Sequence, residues 1–435
     1  MKHNLGLFFI FIAGLLVAAC AGDDEAKLPG KRIPVLLGNL QVEPDPTLQD
    51  VPIALPKPSQ NNGWPQYGGF SDHANYHLAL GDELKEIWSI SAGSFNQLKG
   101  EIVQPVIADR KLFVLDQNYH LRAFDIKDGR LIWEFKLDVP DEDDNIMGGG
   151  IAYHQGRVYV ATGYRGGYAI DAKTGQLIWD IMFESPIRAP PTIGGGRMVV
   201  ITLDNQARAY DLVDGSLVWR HFGISESAGL RGGAAAAIDE NITIFAYSSG
   251  EIFAVRTLDG RVLWEENLAS LQPLNALANL ADIKGNPVID RGVVYVVGHA
   301  GRMLAIDAST GVRAWERAIG GVEMPWAAGD YVFVVDLEAT LIALTRRGGR
   351  VHWRRFLAKY EDADAQDHKI HWHGPVLAGD RLLLSNNMGE IISISPYDGD
   401  VLGMIRLAKP IVLPPIVSDR TLYIVQEGGT ITAYR

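Results

Sequence analysis

The chain has 435 residues, 47% of them hydrophobic, with 47 glycines, a single cysteine and a formal charge of −12. That acidic balance excludes a basic nucleic-acid footprint and gives no basic membrane-binding face, and a lone cysteine excludes an internal disulfide. The length would ordinarily suggest more than one domain, but a glycine-rich ring of repeats can use most of it as one unit.

At the N-terminus, Lys2 and His3 precede an apolar run from Leu5 to Val17, followed by Ala18-Ala19-Cys20. This is the order of a secretory n-region, h-region and small-residue cleavage site, so residues 1–19 are predicted to be a signal peptide. A cleavage site directly before the sole cysteine resembles the bacterial lipobox. That resemblance implies that Cys20 is lipidated and that acyl chains, with no spanning helix, tether a soluble domain to a membrane. The alternative is an ordinary signal peptide with a cysteine there by chance. By resemblance to the sorting preference of enteric bacteria, Ala21 in place of aspartate points to the outer membrane, with the domain facing the periplasm. Residues 20–62 carry Pro29, Pro34, Pro44, Pro46, Pro52, Pro56 and Pro58, a density that favours an extended, semi-rigid tether. The folded unit is predicted over 63–435 and opens on Trp64-Pro65-Gln66-Tyr67-Gly68-Gly69.

Within it, A-x-D-x-x-(T/D)-G-x-x-x-W recurs as Ala123/Asp125/Gly129/Trp133, Ala169/Asp171/Gly175/Trp179, Ala209/Asp211/Gly215/Trp219 and Ala305/Asp307/Gly311/Trp315. Two copies are degraded: Ala254, Gly260 and Trp264 stand with Arg256, and Ala343, Gly349 and Trp353 with Thr345. A seventh, Ser393 to Gly399, ends in Gly403. Successive motif glycines are 46, 40, 45, 51, 38 and 50 residues apart, the period of four-stranded propeller blades or helical arrays. Strands are favoured because the apolar runs are short, β-branched or aromatic, and interrupted by glycine turns. The motif then marks a hairpin between third and fourth strands, with a glycine at a position of positive φ. Its tryptophans (Trp88, Trp133, Trp179, Trp219, Trp264, Trp315 and Trp353) are expected to pack between blades, a ring of this size burying about 150–250 Å². Trp88 is 45 residues before Trp133 and in phase, but no first three strands precede it. Residues 411–435 offer three strands without a fourth. The prediction is an all-β, single eight-bladed β-propeller of four-stranded antiparallel blades, closed by pairing of Lys85–Ile90 with the strand ending Ala433-Tyr434-Arg435. Gly403 predicts the weakest blade seam.

Four connections exceed the minimum: 138–149, 223–232, 267–285 and 359–374. Asp141-Glu142-Asp143-Asp144 lacks the glycine and terminal glutamate spacing of a calcium loop and reads as a solvated acidic turn. His368, His371 and His373 have a spacing at which two imidazoles could share a transition metal, but no cysteine or glutamate completes a catalytic arrangement, so a polar loop is preferred. No nucleophile triad, phosphate loop or paired carboxylate motif stands out.

Over residues 64–435 the repeat resembles the tryptophan-docking motif of two propeller families: the pyrroloquinoline quinone dehydrogenases, and BamB, the outer-membrane lipoproteins of the β-barrel assembly machinery. The Trp64-Pro65-x-Tyr67-Gly68 opening leans towards the dehydrogenases. Resemblance to those enzymes would imply a quinone over a tryptophan floor, a calcium ion held by oxygen ligands, an aspartate base and, in many members, a disulfide between adjacent cysteines. This chain cannot form that disulfide, is shorter than those enzymes, and offers no assignable calcium ligands; no cofactor, metal or catalytic residue is expected. Two other connections look like BamB. Ala228-Gly229-Leu230-Arg231-Gly232 is similar to the family's L-x-L-R loop, with Ala228 departing from leucine, and Asp282-Ile283-Lys284 to its D-x-D, with Lys284 reversing a charge. The resemblance implies that Leu230, Arg231 and Asp282 dock on the periplasmic domains of a BamA-like insertase. The alternative is that Arg231 and Asp282 merely pair with each other. The functional expectation is a non-enzymatic scaffold of the β-barrel assembly machinery that assists insertion of unfolded outer-membrane protein clients. A lipid-anchored quinone-dependent dehydrogenase is the alternative, and a propeller that binds a small molecule in its central funnel a third.

Overall fold

A computed structural model describes residues 42–96, 101–139, 148–226, 229–268 and 281–435. Cys20, the signal segment, Ala228 and the acidic run 141–144 lie outside the described residues. Eight four-stranded antiparallel sheets form an eight-bladed propeller, each sheet in strand order from innermost to outermost. Blade 1 comprises Val106–Ala108, Lys111–Leu115, His120–Asp125 and Leu131–Lys136. Blades 2 to 7 repeat it, with innermost strands Gly149–His154, Thr192–Gly194, Ala237–Asp239, Val288–Asp290, Trp326–Ala328 and Trp372–Ala378. Blade 8 takes Ile416–Ser418, Thr421–Gln426 and Thr430–Tyr434 from one end of the chain and Glu86–Ser91 from the other. Trp88 faces Ala433 and Ile90 faces Ile431 across that closing pair, and the N–H of Lys85 and the C=O of Arg435 meet at 3.0 Å. The two middle strands of each blade are buried on both faces while the outermost alternates between buried and exposed, as expected for sheets stacked face to face with one free rim.

The repeat motif has a mechanical explanation. In the hairpin of blade 1 the N–H of Gly129 donates to the C=O of Asp125 at 2.8 Å, Gly129 has φ 72°, and the register slips by one residue after Ala123. This is a turn ended by a left-handed glycine and a bulge, and the aspartate carboxylate caps it by accepting the N–H of Lys127. The preceding blade's tryptophan lies on that turn. Indole N–H groups of Trp88, Trp133, Trp179, Trp219, Trp264, Trp315 and Trp353 donate to the carbonyls of Ile126, Ala172, Leu212, Thr257, Ala308, Arg346 and Pro396, at 2.7–3.3 Å. Each acceptor stands three residues before a motif glycine. A Cβ on any of those glycines would come within 2.6–3.3 Å of the ring. Glycine is thus required twice, by φ and by the indole.

Residues 42–62, whose prolines suggest a spacer, lie against the ring instead. Asp45 caps a short 3₁₀ turn at Pro46–Leu48 and donates its N–H to Val351 at 2.8 Å, Glu43 pairs with Arg354 at 2.7 Å, and Leu48 and Ile53 are buried. Proline is tolerated because these residues add no strand to a ladder.

From Asn61 the chain then visits every innermost strand in turn. Asn61 bonds Val417 of blade 8, Trp64 exchanges backbone bonds with Ile107 of blade 1, and Pro65 accepts from Tyr153 of blade 2. The Gln66 amide bonds both the N–H and C=O of Ile193 in blade 3; Ser71 and Asp72 accept from Ile238 and Ile289 of blades 4 and 5. Tyr76 accepts the indole N–H of Trp326 in blade 6, Leu78 meets Leu377 and Gly379 of blade 7, and Leu80 bridges to Arg420 back in blade 8. This circuit plugs the channel at the end where the innermost strands finish.

His73 is buried within the plug, its Nδ1 2.7 Å from the carbonyl of Pro287, and burial depresses its pKa to about 4. The neighbouring Asp72 carboxyl is pushed up to about 6, chiefly by burial. Their linkages oppose. A histidine depressed in the native state contributes stability that is complete above its unfolded pKa of about 6.5 and is lost as pH falls towards 4; a raised carboxyl weakens the fold as pH rises through the same window. His73→Asn, which keeps a donor for Pro287, is expected to gain about 2 kcal/mol relative to the parent between pH 7 and pH 5. Guanidinium unfolding at both pH values measures it.

Candidate functional site

The connections that lead into the innermost strands crowd the face opposite the plug, and two of them lock together. Arg188, just before the innermost strand of blade 3, is 5% exposed, and its Nη2 is 2.5 Å from Oδ2 of Asp282, which is 0% exposed. The same Oδ2 accepts the N–H of Leu230 at 2.6 Å. Arg188 also donates from Nε to the carbonyl of Gly232 at 2.5 Å and from Nη2 to that of Leu230 at 3.3 Å. A buried guanidinium with its donors spent on one carboxylate and two carbonyls satisfies the requirement that buried charge be paired and hydrogen-bonded. Glycines permit the approach. A Cβ at Gly233 would stand 2.9 Å from Arg188 Cγ, and one at Gly229 3.1 Å from Asp282 Oδ2.

Asp282 is therefore not the surface acceptor that its place in the connection suggests: its Oδ2 is taken internally, by Arg188 and the N–H of Leu230. Leu230 is half-buried, and Arg231 is exposed on the rim of the loop. Lys284 reaches Glu101 at 3.2 Å, and Gly232 lies against the Glu101 carboxylate, so the clamp, the loop and the connection into blade 1 form one continuous surface. Arg188 had no signal in the sequence. It sits 94 residues from Asp282, in a short connection with no motif of its own.

The histidine loop does not converge. His368 is exposed on an extra hairpin, Tyr360–Asp362 with Asp367–Lys369, beside Glu361 and Asp367 at 3.8 and 3.7 Å. His373 turns inward instead, with Nδ1 3.2 Å from Glu323. Among the described residues no group of three His, Cys, Asp or Glu side chains is placed to hold a metal ion, and no helix is long and apolar enough to cross a membrane.

Comparison with known proteins follows the same lines. The family model described as outer membrane protein assembly factor BamB matches residues 83–146 and 141–355. Outer membrane protein assembly factor BamB of Moranella endobia is 22% identical over 80% of this chain and 89% of its own, and that of Salmonella typhimurium 25% over 80% and 88%. Among solved structures, BamB from Moraxella catarrhalis superposes with a TM-score of 0.68 at 19% identity, covering 81% of this chain and all of that one. A europium-containing methanol dehydrogenase gives 0.66 at 14%, covering 84% and 89%. At such identities the two superpositions speak for the fold alone, whereas the family model spans more than half of the chain. The chain belongs to the outer membrane protein assembly factor BamB family.

Proposed function

We propose that this propeller is a non-enzymatic scaffold of the outer-membrane β-barrel assembly machinery, anchored through lipidated Cys20 and facing the periplasm. In this reading the loop Gly229–Gly232 docks on the periplasmic domains of a BamA-like insertase, and the ring assists insertion of unfolded barrel clients. One observation supports it above the rest: an Arg188–Asp282 clamp buried beneath a loop whose tip presents Arg231. Fixing the main chain of a loop before association reduces the ordering cost of binding, and an exposed arginine beside a half-buried leucine has the composition of an interface hot spot. Asp282 then acts as a positioning residue, holding Leu230 by its N–H, and does not itself reach the partner.

Arg231→Glu is expected to weaken capture of the insertase's periplasmic domains at least tenfold in a protein that still folds, as its unfolding transition checks. Undiminished capture by that variant in a quantitative pull-down would refute docking through this loop.

A further inference from the structure

Between the plug and the docking face lies a cavity of about 100 Å³. Trp64, Tyr67 and Gly68 of the plug contribute to its walls, with Met324 and Trp326 from blade 6 and the Val412–Pro414 stretch before blade 8. Its mouth reaches solvent at Glu101 and Lys284, whose side chains are about one-third exposed (31% and 33%). The lining is aromatic and aliphatic with a few polar groups, the composition of a small-molecule site.

Two polar atoms there lack a partner. Asn286 is 2% exposed; its Oδ1 accepts the N–H of Ala235 at 2.9 Å, which fixes the amide and leaves Nδ2 without an acceptor. That nitrogen and the flexible thioether of Met324 both border Gly68: a Cβ there would stand 3.0 Å from Nδ2 and 3.1 Å from Sδ. His373 directs Nδ1 at Glu323, and with Nδ1–H donating to that carboxylate the buried, unpartnered Nε2 is the ring's acceptor nitrogen. Unmet buried donors and acceptors are costly and rare, and a ligand is one of the ways to satisfy them.

The carboxylates in the lining already have partners: Glu101 pairs with Lys284, and Glu323 accepts from His373 Nδ1 and from the N–H of Gly374. Burial, and then the charges of Glu323 and Glu101, push the Tyr67 phenol upward; the same influences act against any anion placed beside it. A cation would have to take a carboxylate from its present partner and leave that partner stranded. We propose that the cavity binds a small, neutral, flat ligand of the cyclic-amide or N-heterocycle class, its acceptor taken by Asn286 Nδ2 and its donor by His373 Nε2. Met324 swings aside to admit it, and the aromatic walls hold its faces.

The test uses the full chain with three fluorinated probes of similar size, 5-fluoro-2-pyridone, 4-fluorobenzoate and 4-fluorobenzylamine, followed by ¹⁹F line broadening. Broadening of the pyridone at least fivefold greater than of either charged probe is expected. Asn286→Asp, which keeps the acceptor for Ala235 but loses the donor, is expected to abolish it. Should that variant fail to fold, His373→Phe, which removes the acceptor, decides the matter alone. No broadening of the pyridone, equal broadening by a charged probe, or full broadening in a folded variant overturns the proposal. Because no insertase is present in the experiment, its outcome is independent of docking.

Discussion

Replacing Arg188 by leucine is expected to lower the stability of the propeller by about 3–5 kcal/mol, the cost of leaving a buried charge without its partner. Asp282 has no accessible surface, and one of its oxygens, Oδ1, already lacks a hydrogen bond. Losing the guanidinium would leave its charge with only the Leu230 N–H and would uncouple the carbonyls of Leu230 and Gly232. Asp282→Leu alone is expected to cost a similar amount, for the mirror reason that Arg188 becomes the stranded ion. The double variant Arg188→Leu/Asp282→Leu is expected to lie within about 2 kcal/mol of the parent, since an apolar pair can replace a buried ion pair at little net cost. Guanidinium unfolding of the four proteins yields the coupling. Additive losses would mean that the clamp is not a unit. The double variant also separates stability from docking: it restores the core but not the bonds to the loop, so insertase capture is expected to stay weak in a folded protein.

The contrast between what the sequence revealed and what it hid is physical. Eight blades and their closure were legible because a turn glycine, a capping aspartate and a docking tryptophan recur at fixed local spacing, and each is demanded by backbone geometry within about a dozen residues. Arg188, Gln66 and Asn286 were not legible. Their partners are 94, 127 and 51 residues away, and a single polar residue in a connection leaves no periodic trace. Proline density misled over residues 42–62, because an extended segment without ladder bonds looks the same whether it crosses solvent or lies on a blade. Leu230-Arg231 was visible only as a resemblance; the half-burial of Leu230 and the inward turn of Asp282 required the third dimension. On the face where outer strands return to inner strands, the connections answer to each other, Arg188 to Asp282 and Lys284 to Glu101.

Gly403 marks the other position where local pattern needed topology to be understood. Its strand, Val401–Arg406, pairs like every other outermost strand, yet a Cβ built on Gly403 meets nothing within 4 Å. A docking tryptophan needs a turn glycine and a carbonyl three residues before it in the next blade. In blade 8 the third and outer strands come from opposite parts of the chain, so no hairpin turn joins them and that receptor is missing. The absent indole and the absent turn are one consequence of how the ring is closed. Trp353→Ala, which removes a ring 7% exposed that packs on Gly399 and donates to Pro396, is expected to cost about 3–5 kcal/mol. Gly403→Trp is expected to change stability by no more than about 0.5 kcal/mol, as a surface substitution without a socket. Denaturant midpoints of the two variants provide the comparison, and a gain from Gly403→Trp approaching the loss from Trp353→Ala would show that the seam needs no turn to receive the ring. The same reasoning places the earliest local opening at the seam between blades 7 and 8, where amides of Val401–Arg406 should exchange faster than those of Val351–Phe356. Apolar packing and bonds such as Ser385 Oγ–H to the Leu413 carbonyl hold that seam without an indole, while the Trp88–Ala433 register closes the ring within blade 8.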